Sequence, residues 1–223
     1  MNSIPVITID GPVGAGKGTI AQALAKKLGW HLLDSGAIYR ILALSVLQNQ
    51  IDPNDEIAVA ALVVNLNIKF KPSLQDNVPC QVMLENQDVT DQIRTEDVGK
   101  TASIIAAYPK VRQALLQLQR TFRKPPGLIA DGRDMGTVVF TDAPLKIFLT
   151  ASVAERAKRR HQQLLDKGIS VKLPDLVQEI TGRDARDEQR AASPLKPADD
   201  AIIIDTTDLT IKEVIKEILG LMK

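Results

Sequence analysis

Cysteine is almost absent: Cys80 stands alone among 223 residues. An internal disulfide is thereby excluded, and a reducing, cytoplasmic setting is expected. Aromatic residues are scarce, at 3%. Neither sign of charge dominates, with 28 Lys and Arg against 27 Asp and Glu and a net charge of +1. Both features disfavour a nucleic-acid partner gripped by charge and base stacking. Any basic site has to come from local clustering. No apolar run approaches the ~20 residues that span a bilayer, and no charged-then-apolar leader precedes the first apolar segment. No membrane partner is therefore expected. Repeats and low-complexity tracts are also missing. What remains is the composition of an ordinary globule, 44% hydrophobic and 25% charged. At this length a single compact unit with an insertion is the natural expectation.

The chain is organised around Gly11-Pro12-Val13-Gly14-Ala15-Gly16-Lys17-Gly18-Thr19. An apolar run, Val6-Ile7-Thr8-Ile9, comes before it, and an amphipathic stretch, Ile20 to Leu28, comes after. Strand, glycine-rich turn and helix is the context in which a phosphate-binding loop works. Its glycines let backbone N–H groups turn inward around a phosphate chain. The following helix start adds partial positive charge, and Lys17 adds a full, mobile one. The residue after Lys17 is Gly18, and the hydroxyl arrives one position later, at Thr19.

This Gly-Lys-Gly-Thr variant resembles the loop of nucleoside monophosphate kinases. Trp30-His31-Leu32-Leu33 reads as a second strand, with His31 a packed structural residue. Asp34-Ser35-Gly36-Ala37-Ile38-Tyr39-Arg40 follows. Ser35 is suited to cap a helix running to about Gln48, and Arg40, one turn inside it, suits either an anionic substrate or a solvated face. After a Gly-Lys-Gly-Thr loop, this heptad resembles the bacterial type of cytidylate kinase, and the resemblance spans essentially the whole chain.

From Ile51 to about Arg94 the texture changes. A short helix, Glu56 to Asn65, precedes β-like pieces at Ile68-Lys69-Phe70, Gln81-Val82-Met83-Leu84 and Val89. Turn residues Pro72, Ser73, Asp76, Asn77 and Pro79 separate them, which suggests a small antiparallel insert. Helices are expected over Glu96 to Ala107 and over Lys110 to Arg123, the second with Pro109 at its first position. Leu128-Ile129-Ala130 is a third strand and ends in Asp131-Gly132-Arg133-Asp134, charges placed where open α/β sheets bind ligands. Leu145 to Leu149 is a fourth strand. The helix after it carries Arg156, Lys158, Arg159 and Arg160, a run biased to one sign. A further helix, about Leu176 to Arg190, carries Arg183, Arg186, Asp187 and Arg190, whose alternating signs also suit intrahelical pairs. Ala201 to Asp205 is a fifth strand. The last helix sets Ile211, Val214, Ile215, Ile218, Leu219 and Met222 on one core-facing stripe.

Five apolar strands, mostly separated by helices, predict an α/β fold: a five-stranded parallel sheet with helices on both faces, plus the small antiparallel insert. The resemblance implies a strand order of 2-3-1-4-5. It also implies a core of 1–34, 109–150 and 191–223, a monophosphate-binding region over 35–108, and a basic lid over 151–190.

The reaction implied is ATP-dependent phosphorylation of CMP and dCMP, with Mg²⁺, by a monomer. Gly11 to Thr19 would bind the ATP phosphates, with Thr19 near Mg²⁺ and Asp131 orienting metal-bound water. Ser35, Arg40, Ser103, Arg112, Arg133, Asp134, Arg183, Asp187 and Arg190 match the positions that hold the monophosphate. Ser103, Arg112 and Asp134 would face cytosine, Arg40, Arg133 and Arg190 the phosphate, and Asp187 the ribose. Lys17, Arg133, Arg156, Arg159 and Arg160 would serve the transferring phosphoryl group. The alternatives are a kinase of another nucleoside monophosphate or of a small hydroxyl substrate, and a non-enzymatic nucleotide switch is disfavoured. A kinase of a small hydroxyl substrate could use Asp34 as base, although that class usually has Ser or Thr directly after the loop lysine. A guanine-nucleotide switch would want an Asn-Lys-x-Asp motif, which does not occur.

Overall fold

The computed structural model describes residues 4–71, 80–166, 168–190 and 193–222. In chain order it begins with β1 (Val6–Asp10), α1 (Lys17–Leu28), β2 (His31–Asp34), α2 (Ser35–Gln48) and α3 (Glu56–Ala61). Three short strands follow, β3 (Ile68–Lys71), β4 (Gln81–Leu84) and β5 (Gln87–Asp88), then α4 (Glu96–Ile105) and α5 (Pro109–Arg120). The chain continues through β6 (Leu128–Asp131), β7 (Leu145–Thr150), α6 (Val153–Leu165), α7 (Leu173–Glu188), β8 (Ile202–Asp205) and α8 (Ile211–Leu221). Among the described residues the main sheet has the order β2-β6-β1-β7-β8, and β3-β4-β5 form a second sheet. Renumbered over the main sheet alone, this is the expected 2-3-1-4-5.

The residues divide into two compact units, one of Met1–Val6 and Ala21–Asp131, the other of Ile7–Ile20 and Gly132–Lys223. In the first, β2 and β6 pair in parallel, so that Leu33 lies beside Ala130 and Asp34 beside Asp131 at the strand ends. Helix α2 is buried along most of its length, Ile38, Ile41 and Leu42 completely, and it packs on α4. The insert is antiparallel, with Ile68 opposite Leu84 and Lys71 opposite Gln81. Alternation along it buries Ile68 and Val82, as a half-covered strand requires. The predicted turn residues Pro72, Ser73, Asp76, Asn77 and Pro79 lie outside the described residues. Val89 falls just past β5 instead of within a strand. The helix expected over Glu56 to Asn65 is α only to Ala61 and tightens to a 3₁₀ turn over Leu62–Asn65.

In the second unit β1, β7 and β8 pair in parallel, with Asp10 beside Phe148 and Thr150 beside Asp205. Helices α6 and α7 pack together around Ala157, Leu176 and Ile180, and Val13 of the glycine-rich loop joins that cluster. Helix α8 begins in a capping box made by Thr210 and Glu213. As the edge of the sheet, β8 leaves Ile203 59% exposed and buries only Ile204 among its isoleucines. One apolar expectation fails here. Along α8, Val214 and Ile218 are buried but Ile211, in the first turn, is 46% exposed.

Candidate active site

Residues Gly11 to Gly16 join β1 to α1. Gly11 has φ +145°, and a Cβ there would run into the carbonyl oxygen of Leu149 on β7. Gly14 has φ +80°, and its Cβ would sit 3.0 Å from Cβ of Arg156. Glycine is required at both places by backbone conformation and by close approach. Lys17, the first residue of α1, is buried and donates from Nζ to the Pro12 carbonyl at 2.8 Å. The helix start leaves the first-turn N–H groups to bind whatever anion the loop receives.

The two inner arginines of α6 support this loop from behind. Arg156 is 4% exposed. Its Nε donates to the Ala151 carbonyl at 2.9 Å and its Nη1 to the Val13 carbonyl at 3.1 Å. Nη1 and Nη2 also form a bidentate pair with Asp184 of α7, at 3.1 and 2.6 Å. Arg159 bonds Glu155 at 3.0 Å and holds Thr206 through both its hydroxyl, at 3.1 Å, and its carbonyl. The Thr206 hydroxyl in turn lies 3.3 Å from the Ala15 carbonyl. The sequence reading put these arginines on a closing lid. In this conformation they are struts of the phosphate loop, and Arg160 is the one exposed to solvent.

Arg133, Asp187 and Arg190 come together in the same unit. Arg133 Nε pairs with Asp187, and Arg190 Nη2 approaches the other carboxylate oxygen at 3.9 Å. Arg183 lies one turn before Asp187 on α7 and is half-buried. Asp134 is buried and precedes a π-helical turn, Met135–Val139. Asp10, the last residue of β1, accepts from the backbone N–H groups of Met135 and Gly136, each at 2.8 Å. Burial, reinforced by nearby Asp134, pushes the Asp10 carboxyl up to about 6, against the lowering effect of those two bonds and of Lys17.

The first unit gathers Arg40, Ser103 and Arg112 around α2. Arg40 donates from Nη1 to the Ile93 carbonyl at 2.9 Å. It passes so close to Gly99 that a Cβ there would lie 3.3 Å from Nη1. Ser103, one turn on along α4, bonds back to the Gly99 carbonyl at 3.0 Å. Arg112 sits over the Tyr39 ring, 5.9 Å from its centroid, within cation–π range, and reaches the Ala106 carbonyl at 3.3 Å. Ser35 is buried, but it does not cap α2. Asp34 does, accepting from Ala37 N–H at 2.9 Å. A residue in that capping bond, next to Asp131 in register, is poorly placed as the base of a hydroxyl kinase. His31 is exposed instead of packed, and its ring meets the Pro125 carbonyl at 2.9 Å. Burial pushes the Cys80 thiol up to about 12, so it has no thiolate character near neutral pH. Among the described residues no group of three His, Cys, Asp and Glu could hold a metal alone.

A family model described as cytidylate kinase matches residues 7–223. The chain belongs to the cytidylate kinase family. Among its relatives, the cytidylate kinase of Photorhabdus laumondii is 58% identical over 219 residues, 98% of this chain and 95% of that one. The cytidylate kinase of Aeromonas salmonicida is 57% identical over 216 residues, 97% of this chain and 93% of that one. Two residues of this family member escaped the sequence reading. They are Asp10, at the end of β1, and Asp184, on α7. Only Asp184 left a trace, since it shares a helix face with Asp187 one turn on.

Proposed function

We propose that this cytidylate kinase family member transfers the γ-phosphoryl group of ATP to CMP, and to dCMP, giving the diphosphate. The reading is carried by the Gly-Lys-Gly-Thr loop at the start of α1, with Lys17 and the glycine geometry of a phosphate cradle. Bringing two anionic groups together is the main barrier. One unit-charge pair at ~4 Å repels by about 4 kcal/mol at an effective dielectric of 20. Neutralisation is therefore the central catalytic task. The acceptor oxygen is already anionic near neutral pH, so no general base is required.

In this reading Gly11 to Thr19 holds the ATP phosphates. The acceptor phosphate is met by Arg40, Arg133 and Arg190, the ribose by Asp187, and the cytosine edge by Ser103, Arg112 and Asp134. Ser35 and Arg183 complete the acceptor set. The arginine–carboxylate pairing of Arg133 and Asp187 keeps both side chains ordered. Arg160 faces the phosphoryl group directly. For Arg156 and Arg159 to do so, each would have to exchange its present partners, Asp184 and Thr206. In this reading Mg²⁺ would be held beside the exposed Thr19 hydroxyl, with Asp131 orienting metal-bound water. A cation that keeps waters and substrate oxygens in its shell needs no all-protein cage. When bound it would neutralise phosphate charge. The 35–108 stretch serves as the monophosphate-binding region, 151–190 as the lid, and the protein acts as a monomer.

The test is ADP release measured with each nucleoside monophosphate in turn. CMP and dCMP should be used well and AMP hardly at all. UMP presents a carbonyl where cytosine has an amine. An unmet buried polar pairing costs ~1–3 kcal/mol, so UMP should fall one to several orders of magnitude behind. Asp134→Asn should narrow that gap by hurting CMP more than UMP. Equal use of all monophosphates would refute the reading.

A further inference from the structure

We infer that Asp10 is a positioning residue for recognition of the acceptor base, holding the segment after β6 that carries Arg133 and Asp134. This rests on the CMP kinase reading above. The two N–H groups that Asp10 receives, those of Met135 and Gly136, are the first of the π-helical turn. That turn is closed by Val138 and Val139 N–H on the Asp134 carbonyl and by Phe140 N–H on the Met135 carbonyl. Its leading N–H groups have no partner within the turn. Both belong to buried residues, where an orphaned donor is costly.

An aspartate at a helical N-cap ordinarily satisfies these donors with its own side chain. Asp134 occupies that position, yet its side chain makes no capping bond. A carboxylate from 125 residues earlier does so instead, with each oxygen on one N–H. Capping thus falls to Asp10, and the Asp134 backbone, at φ −142° and ψ 23°, lies between the Asp10 bonds to Met135 and Gly136 and the turn bonds on its own carbonyl. Asp10 is also covalently joined to Gly11, so one residue ties the start of the phosphate loop to Arg133 and Asp134. The groups facing it are Asp134, from the turn after β6, and Lys17, from α1. Lys146, which lines Gly136 with its aliphatic stem, has its ammonium on Asp200.

The experiment compares wild type, Asp10→Asn and Asp10→Ser with CMP and UMP at saturating ATP, each rate normalised to the concentration of ATP-binding sites. Asparagine keeps one acceptor but turns an NH₂ donor toward the second N–H. Misplacement of a recognition group by about 1 Å can cost ~100-fold. The kcat/KM for CMP should therefore fall ~10–100-fold, mostly in KM, the CMP-to-UMP ratio should narrow at least ~5-fold, and KM for ATP should change by less than ~3-fold. A purely structural loss would lower kcat for both acceptors together and leave the ratio unchanged, which would overturn the inference. Failure of both variants to fold at 15 °C would overturn it too, by making Asp10 a determinant of the fold. Wild type that does not favour CMP would instead refute the kinase reading, independently of either variant.

Discussion

Asp184→Ala should destabilise the protein far more than a typical helix-surface substitution. The carboxylate is one half of a pair whose side chains are only 5% and 14% exposed, and its removal strands the Arg156 guanidinium. Breaking a buried pair by deleting one partner typically costs ~3–5 kcal/mol. Arg156 would keep its bonds to Ala151 and Val13, which argues for the lower end, about 3 kcal/mol. For a chain of this size each kcal/mol shifts the midpoint by ~2–4 °C, so Tm should fall by ~6–12 °C. Calorimetry on the purified variant measures this. Arg156→Met in the same background removes the stranded charge and should restore part of the loss. The double variant would then lie nearer wild type than the sum of the single changes implies. A fall of less than about 2 °C for Asp184→Ala would refute the argument, because Arg156 would then be solvated well enough to do without its partner.

Lys17→Ala should abolish phosphoryl transfer while leaving a folded protein by circular dichroism; a folded variant retaining most of the rate would remove the phosphate-loop assignment. Gly99→Val should push the Arg40 guanidinium from its place and raise KM for CMP ~10-fold with KM for ATP unchanged. An unaltered KM for CMP would show that Arg40 is not held for the acceptor. The raised Asp10 carboxyl makes a pH prediction. Its folded value of about 6 exceeds its usual 3.8, so it favours folding below pH ~4 and that contribution is lost as pH rises through 6. The span corresponds to about 3 kcal/mol. Exposed carboxylates with lowered values, such as Asp88 and Asp205, work in the opposite direction. The measurement is therefore the difference between wild type and Asp10→Asn in urea unfolding from pH 4 to 7. A difference independent of pH would mean that Asp10 titrates alike in both states.

The phosphate loop was legible because everything that makes it is local: a strand, glycines at fixed spacing and a helix start within 19 residues. The main-sheet strands were legible for the same reason, as short apolar runs between helices. The exposure of β8 was not legible because three consecutive isoleucines look alike whether a strand is central or at an edge, and position in the sheet is a long-range fact. The capping of α2 was misassigned by one residue, Ser35 for Asp34, since both side chains suit the role. Asp10 and Asp184 were missed on stronger grounds. Their partners lie 125 and 28 residues away, and no periodicity in the chain encodes which carboxylate meets which donor. Arg156 shows the converse: a basic run was visible, but whether such an arginine points to substrate or to its own loop depends on what packs behind it.

Tyr39 and Arg40 are consecutive on α2, yet they serve different neighbours. The ring of one supports Arg112 from α5, and the guanidinium of the other is seated against α4 and the Ile93 carbonyl. A helix advances ~100° per residue, so a roll or slide of α2 would carry both positions at once and in different directions. The spacing between Arg112 and Arg40, proposed above to meet the cytosine and the phosphate, is therefore set along one helix. If that proposal holds, retuning the site to a larger base would require replacing side chains along α2, because shifting the helix to widen one end would spoil the fit at the other.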